Sequence, residues 1–169
     1  MDEFWYVYDR FRNKTGKIIK RNSSERLQLG EYHLVTTAVI MNNNKILISR
    51  RNPNKVLYPN LWECAGGSVI VGENSLMAAI REVYEEIGIS LKAEEGKFIG
   101  TVQQNDYFRD VWKFVKDIDI DSLKFNDGEV IEAKWVTEEE YMQMFLNQKI
   151  IPTGECIINL LKKERECGR

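Results

Sequence analysis

Three glutamates, Glu82, Glu85 and Glu86, stand at i, i+3 and i+4 in the stretch Arg81-Glu82-Val83-Tyr84-Glu85-Glu86-Ile87. On a helix, with about 100° of rotation per residue, all three share one face. Like charges at this spacing repel by roughly 0.2–0.5 kcal/mol per pair, and Arg81 is the one cation near enough in sequence to offset them. The ordinary reading of such a run is a solvated acidic face. The Gly66–Gly67 pair upstream points elsewhere, because a backbone without side chains can approach a ligand closely. Carboxylates that cannot relieve one another call for a cation. Oxygen ligation without His or Cys suits a hard ion, Mg²⁺ or Mn²⁺.

The acids need a rigid helix beneath them. Leu76, Ile80, Val83 and Ile87 form an apolar stripe at helical spacing. Asn74 or Ser75 can cap the start and Gly88 can supply a left-handed stop, so a helix is predicted from about Ser75 to Ile87, its acids opposite the stripe. A glycine-containing loop precedes it. Before that loop, "WYVYDRFRNKTGKIIKR" reads as two strands around a turn centred on Asn13–Gly16, an N-terminal hairpin extension within residues 1–30. "HLVTTAVIM" reads as a buried strand, turned at Asn42–Asn44 into "KILISRR". Pro53 and Pro59 fix the loop "NPNKVLYPN".

After the helix, "KFIGTVQ", "YFRDVWKFVKDI" and "VIEAKWV" read as strands, the last preceded by a turn at Asn126–Gly128. Thr137 and Glu140 suit a capping box opening a helix, and a final helix runs through "CIINLLKKERE". Strands alternating with two or three helices predict an α/β (α+β) fold, a curved mixed sheet covered by helices, as one domain over residues 1–169.

Composition narrows the function. With 169 residues, 43% hydrophobic and 30% charged, the chain can bury a full core. Lys plus Arg (24) nearly balance Asp plus Glu (26), which argues against a nucleic-acid polymer or an anionic membrane as partner. The start "MDEFWYVYDR" does not read as a signal segment, and no apolar run approaches the roughly 18 residues of a membrane span. Cys64, Cys156 and Cys167 show no metal-ligand spacing and cannot all pair, which suits a reducing cytoplasm.

The run Gly67, Glu73, Arg81, Glu82, Glu85, Glu86, Gly88, with aliphatic Val83 and Ile89, resembles the Nudix box G-x5-E-x7-R-E-U-x-E-E-x-G-U at every specified position. The box occupies the loop and helix of residues 66–89, and the surrounding strand order is compatible with the Nudix fold. The resemblance implies hydrolysis of a diphosphate bond in a nucleoside diphosphate linked to another group. It implies that Glu82, Glu85 and Glu86 bind the divalent ion, with the Gly66 carbonyl as a further ligand. Gly67, Glu73, Arg81 and Gly88 would be structural, Glu73 and Arg81 as a salt bridge from loop to helix. The general base would be a box glutamate or a later acid. Glu129 is the candidate, with Asp110 and Glu132 as rivals.

The lead-in "EYHLVTTAVI…NNNKILISRRNPNKVLYPNLWE" is similar to a narrower group, the Nudix proteins resembling isopentenyl-diphosphate isomerase. By that likeness His33 matches a metal-binding histidine, and Arg51 and Lys55 match a substrate-binding pair for the diphosphate. A hydrogen-bonded histidine and a surface arginine are the plainer alternatives. The isomerase pattern C-G-H-P-x-x-G-E fails here, with Gly66 in place of the cysteine and Ser68 in place of the histidine. Cys64, two residues earlier, reads as a small buried residue beside Trp62. Hydrolysis is therefore expected over isomerisation, and the intact carboxylate set argues against a non-catalytic nucleotide sensor. Tyr58, Trp62, Tyr107, Phe108 and Trp112 are candidates to stack on a substrate or to fill the core. The expected partner is a small-molecule diphosphate, and the chain is a monomer or a homodimer.

Overall fold

The computed structural model describes residues 2–126 and 128–167. Its central strand is β3, His33–Asn42, which joins β4, Lys45–Arg51, through a two-residue turn. Asn43 and Asn44 both take positive φ, 47° and 61°, the conformation that a tight hairpin needs and that asparagine tolerates. The hairpin then forks. β3 pairs with β4 only at Met41↔Ile46 and Asn42↔Lys45. Its earlier residues pair instead with β6, Gly66–Ser68, in the register Val35↔Ser68, Thr36↔Gly67 and Thr37↔Gly66. β4 runs on beside β9, Val130–Thr137, and the two-residue β5, Trp62–Glu63. The gap between the prongs is where a site can form.

The other edge of β3 pairs in parallel with β8, Tyr107–Val115, and β8 pairs antiparallel with β7, Lys97–Gln103. One parallel pair among antiparallel ones makes the sheet mixed. Its central strands do not alternate polar and apolar, because both faces are covered. On one face Ala38, Ile40, Leu47 and Phe114 pack against helix α1, Ser75–Ile87. On the other, Val39, Ile46, Ile48 and Val111 pack against helices α2, Glu138–Leu146, and α3, Gly154–Cys167. The expected α+β sandwich is present. The Thr137–Glu140 capping box is made in both directions, at 3.1 and 2.7 Å. No helix among the described residues is long and apolar enough to cross a membrane.

The sequence reading needs three adjustments. The N-terminal hairpin, β1 (Phe4–Tyr8) with β2 (Lys14–Lys20), turns at Asp9–Asn13, not at Asn13–Gly16. The Asp9 carboxylate accepts the backbone N–H groups of Phe11 and Asn13 at 2.9 and 2.8 Å, which fixes the turn early. Gly16, at φ 87°, lies within β2 where the pairing slips between Tyr6 and Tyr8, so it serves a bulge and not the turn. Second, β5 and β6 are too short to carry a periodic pattern and read as loop from sequence. Third, the turn expected at Asn126–Gly128 includes Asp127, which lies outside the described residues.

Candidate active site

Helix α1 begins and ends where its caps require. Asn74 Oδ1 accepts the Met77 N–H at 2.9 Å, and Gly88 closes the helix at φ 74° with its N–H on the Tyr84 carbonyl. The expected stripe packs against the core, but the buried face is wider than that stripe. Ala78, Ala79, Val83, Glu86 and Ile87 are buried, whereas Leu76 and Ile80 are only half-buried. Two adjacent alanines let the helix approach the sheet closely and rotate the contact face toward the acids. The glutamates therefore lie on the flank of the buried face, not opposite it. Glu86 is 3% exposed, the Glu82 side chain 15% and that of Glu85 48%. Met77 and Tyr84 are turned to solvent together with Glu85.

Arg81 organises this flank. Its guanidinium donates from Nε and Nη2 to Glu73 at 3.1 and 2.7 Å, and from Nη2 to the Ser68 carbonyl at 3.0 Å. Nη1 donates to Glu82 at 2.8 Å and to Glu85 at 3.0 Å. Glu73 also accepts the Ile70 N–H at 2.9 Å, so the pair ties the loop after β6 to the third turn of α1. Burial opposes the Arg81 charge, but Glu73 and Glu82 more than offset it and hold the group protonated. Burial pushes the Glu82 carboxyl up to about 7, with Arg81 working against the rise and Glu85 adding to it.

The glycines explain how Glu82 reaches the sheet. A side-chain carbon on Gly67 would run into the Glu82 carboxylate, and one on Gly66 would run into the backbone carbonyl of Thr36. Glu82 thus rests directly on the β6 backbone. Among the described residues no three acid, His or Cys side chains are drawn together as a metal cage. The donor set still fits a hard divalent ion. It is all oxygen, it is seated on bare backbone, and it is partly withdrawn from water.

A cleft of about 560 Å³ opens between Glu82, Glu85 and the prongs of the fork, and Glu86 lies behind its lining. Arg51 and Lys55 both line it. Arg51 is hydrogen-bonded to Glu63 and donates from Nε to the Leu57 carbonyl at 3.0 Å, and Lys55 meets Glu129 at 2.7 Å. That meeting is imposed by Asn52, whose N–H and side-chain amide bond the Glu129 and Gly128 carbonyls at 2.7 and 2.8 Å. Glu129 lines the cleft; its two rivals do not. Asp110 is 2% exposed and held by Arg12 at 2.5 Å and Thr101 at 2.7 Å. Glu132 is paired with Arg50 at 2.9 Å.

His33 stands on the cleft wall with its ring stacked on Trp5, centroids 4.5 Å apart, and its Nδ1 3.1 Å from the Asp106 carbonyl. Burial lowers its affinity for a proton. Cys64 is buried, and burial pushes its thiol up to about 12. Of the candidate aromatics, Tyr58 and Tyr107 face the cleft, Trp62 and Phe108 are buried in core clusters, and Trp112 packs on Phe98 and donates to Ser75 at 3.1 Å. Sequence reasoning missed Glu63, Arg109 and Trp5, all of which line the cleft. Burial raises the Glu63 carboxyl while Arg51 opposes the rise. The one available signal for Arg109 was a charged pair, Arg109-Asp110, inside a largely apolar strand.

Residues 31–154 match the model of the NUDIX domain family. A Nudix hydrolase of Listeria monocytogenes is 35% identical over 152 residues, covering 89% of each chain. The crystal structure of DR0079 from Deinococcus radiodurans superposes with a TM-score of 0.77 over 93% of this chain and 98% of that one, at 20% identity. A bifunctional NMN adenylyltransferase/ADP-ribose pyrophosphatase from Francisella tularensis, complexed with AMP and a manganese ion, matches with a TM-score of 0.62 at 20% identity, over 84% of this chain and 43% of that one.

Proposed function

The chain belongs to the Nudix hydrolase family, and from that premise we propose that it is a divalent-metal-dependent pyrophosphohydrolase acting on a nucleoside diphosphate linked to a second group. The products are a nucleoside monophosphate and a phosphorylated group. The observation that carries this reading is the Glu82 carboxylate seated on the bare Gly67 backbone, in one cleft with Arg51 and Lys55. The manganese and AMP held by the Francisella relative agree with it.

Glu82, Glu85 and Glu86, with the Gly66 carbonyl, are the residues that would hold Mg²⁺ or Mn²⁺. Such an ion, when bound, offsets the charge of the diphosphate and lowers the pKa of water. The chain's own groups do the rest. Arg51 and Lys55 present two cations to the diphosphate, a poor electrophile until its charge is offset. Water adds to one phosphorus, the bridging P–O bond breaks, and Glu129 takes the proton, oriented by Lys55 at 2.7 Å. Glu73 and Arg81 position α1 against the loop. Isomerisation lacks the thiol of its pattern at this site: Gly66 carries none, and the buried Cys64 holds its proton too tightly. The substrate is a small molecule, handled in the cytoplasm by a monomer or homodimer.

The test is a panel of nucleoside diphosphate derivatives with Mg²⁺ and Mn²⁺, scored by phosphate products. Glu85→Gln and Glu86→Gln are expected to lower the rate at least a hundredfold while circular dichroism stays unchanged. Near-normal turnover in both variants would remove the metal cluster from the mechanism.

A further inference from the structure

The cleft is lined by five Arg or Lys side chains, and four of them are already matched with acids. Arg21 pairs with Glu3 at 2.6 Å, Arg51 with Glu63, Lys55 with Glu129 and Arg81 with Glu73 at 2.7 Å. Arg109 differs. Among the described residues no carboxylate lies within ion-pair distance of it. Its one side-chain hydrogen bond runs from Nη1 to the Thr37 hydroxyl at 2.6 Å, and its buried Nε–H has no partner. A guanidinium has five N–H donors; Glu63 is near enough to feel the Arg109 charge, but no carboxylate among the described residues bonds the guanidinium, and most of its donors are left for another partner. An arginine in this state inside a cleft is arranged for an anion that arrives from outside.

The register says where that anion would sit. Thr37 pairs with Gly66, and Arg109 stands opposite Val35, which pairs with Ser68. The guanidinium therefore reaches across β3 to within about one strand spacing, ~5 Å, of the Gly66 backbone. We propose that Arg109 binds an oxyanion of the substrate's diphosphate at the floor of the cleft, as the cation that needs no displacement from an acid to do so. The geometry rests on the reading of the cleft as a diphosphate site. Thr37 positions the side chain through its hydroxyl and leaves the remaining N–H donors for phosphoryl oxygens.

The experiment uses the whole chain in EDTA with inorganic pyrophosphate, so that binding is read without turnover. In ¹⁵N-labelled wild-type protein the buried Arg109 Nε–H should exchange slowly and give a resolved signal. That signal is expected to move on addition of pyrophosphate. Arg109→Gln should weaken pyrophosphate binding at least tenfold by calorimetry, and Arg109→Lys should recover part of the loss. An unmoved wild-type Nε–H signal at millimolar pyrophosphate overturns the proposal, as does unchanged binding in Arg109→Gln. If Arg109→Gln does not fold, the wild-type signal decides. Tight pyrophosphate binding that depends on Arg109, in a protein that hydrolyses nothing in the panel, would sink the hydrolase reading and leave this one standing. Brisk hydrolysis with binding indifferent to Arg109 would do the reverse.

Discussion

A methyl group at Gly67 would meet the tip of a flexible side chain, Glu82, whereas one at Gly66 would meet fixed backbone at Thr36. The two glycines therefore separate function from folding. Gly67→Ala should keep a melting temperature close to wild type, because Glu82 can swing away, and should lose at least tenfold in turnover because it has done so. Gly66→Ala must push β6 off β3 and should cost about 1–3 kcal/mol of stability in urea unfolding. Equal stability in the two variants would contradict this placement of Glu82. The thiols give a second contrast. With its pKa near 12, Cys64 at pH 8 is roughly one part thiolate in ten thousand. Mass spectrometry after iodoacetamide treatment at that pH should find the exposed Cys167 alkylated and Cys64 untouched until denaturant is added. At this scale the box acids were legible because helical spacing is local. Arg109, Glu63 and Trp5 were not, because they meet the acids only through strand register and loop closure.

The loop after β6 and the helix α1 behave as one unit because Glu73 and Arg81 join them. Both side chains are largely withdrawn from water, so their bidentate contact is not an ordinary surface pair. Glu73→Ala would leave the Ile70 N–H and part of the Arg81 guanidinium unpaired. The expected loss is about 1–3 kcal/mol, measured by urea unfolding, with a larger proportional loss of activity as the Gly66–Ser68 backbone loosens beneath Glu82. A Glu73→Ala protein as stable as wild type would mean that the other Arg81 contacts suffice. The ends of α1 could be read from sequence, since Asn74 and Gly88 act on their immediate neighbours. Its orientation could be read only in part, since Leu76, Ile80, Val83 and Ile87 do pack on the core but the buried face extends beyond them. Ala78 and Ala79 contribute little apolar area to a periodic pattern, yet they are fully buried and set how closely the helix lies on the sheet. In the same way Asp9 captured the N-terminal turn through its side chain, against the glycine signal at Gly16.

For the whole molecule the open question is whether residues 1–30 are an appendage. They lie outside the stretch that matches the family model, which begins at residue 31. The packing argues that they belong to the fold. Tyr8 and Tyr32 exchange two backbone hydrogen bonds at 2.8 Å, and the Val71 N–H bonds the Phe4 carbonyl at 2.8 Å. Tyr8 shares a buried cluster with Leu34, Val69, Ala78 and Phe108, and Trp5 covers His33 on the cleft wall. Arg12 supplies the cation that neutralises the buried Asp110. Removing the hairpin would expose the cluster and strip the Asp110 carboxylate of Arg12, leaving it Thr101 as its side-chain partner among the described residues. Arg12→Ala alone is expected to cost about 1.5–3 kcal/mol. Deletion of residues 1–30 should cost more, enough to threaten a domain whose whole stability is on the order of 5–15 kcal/mol. Thermal melts of the two variants against wild type test this. A truncated chain that melts with the full one would show that the cleft wall is dispensable for folding. A truncated chain that unfolds would mean that the hairpin holds up both the sheet and the site.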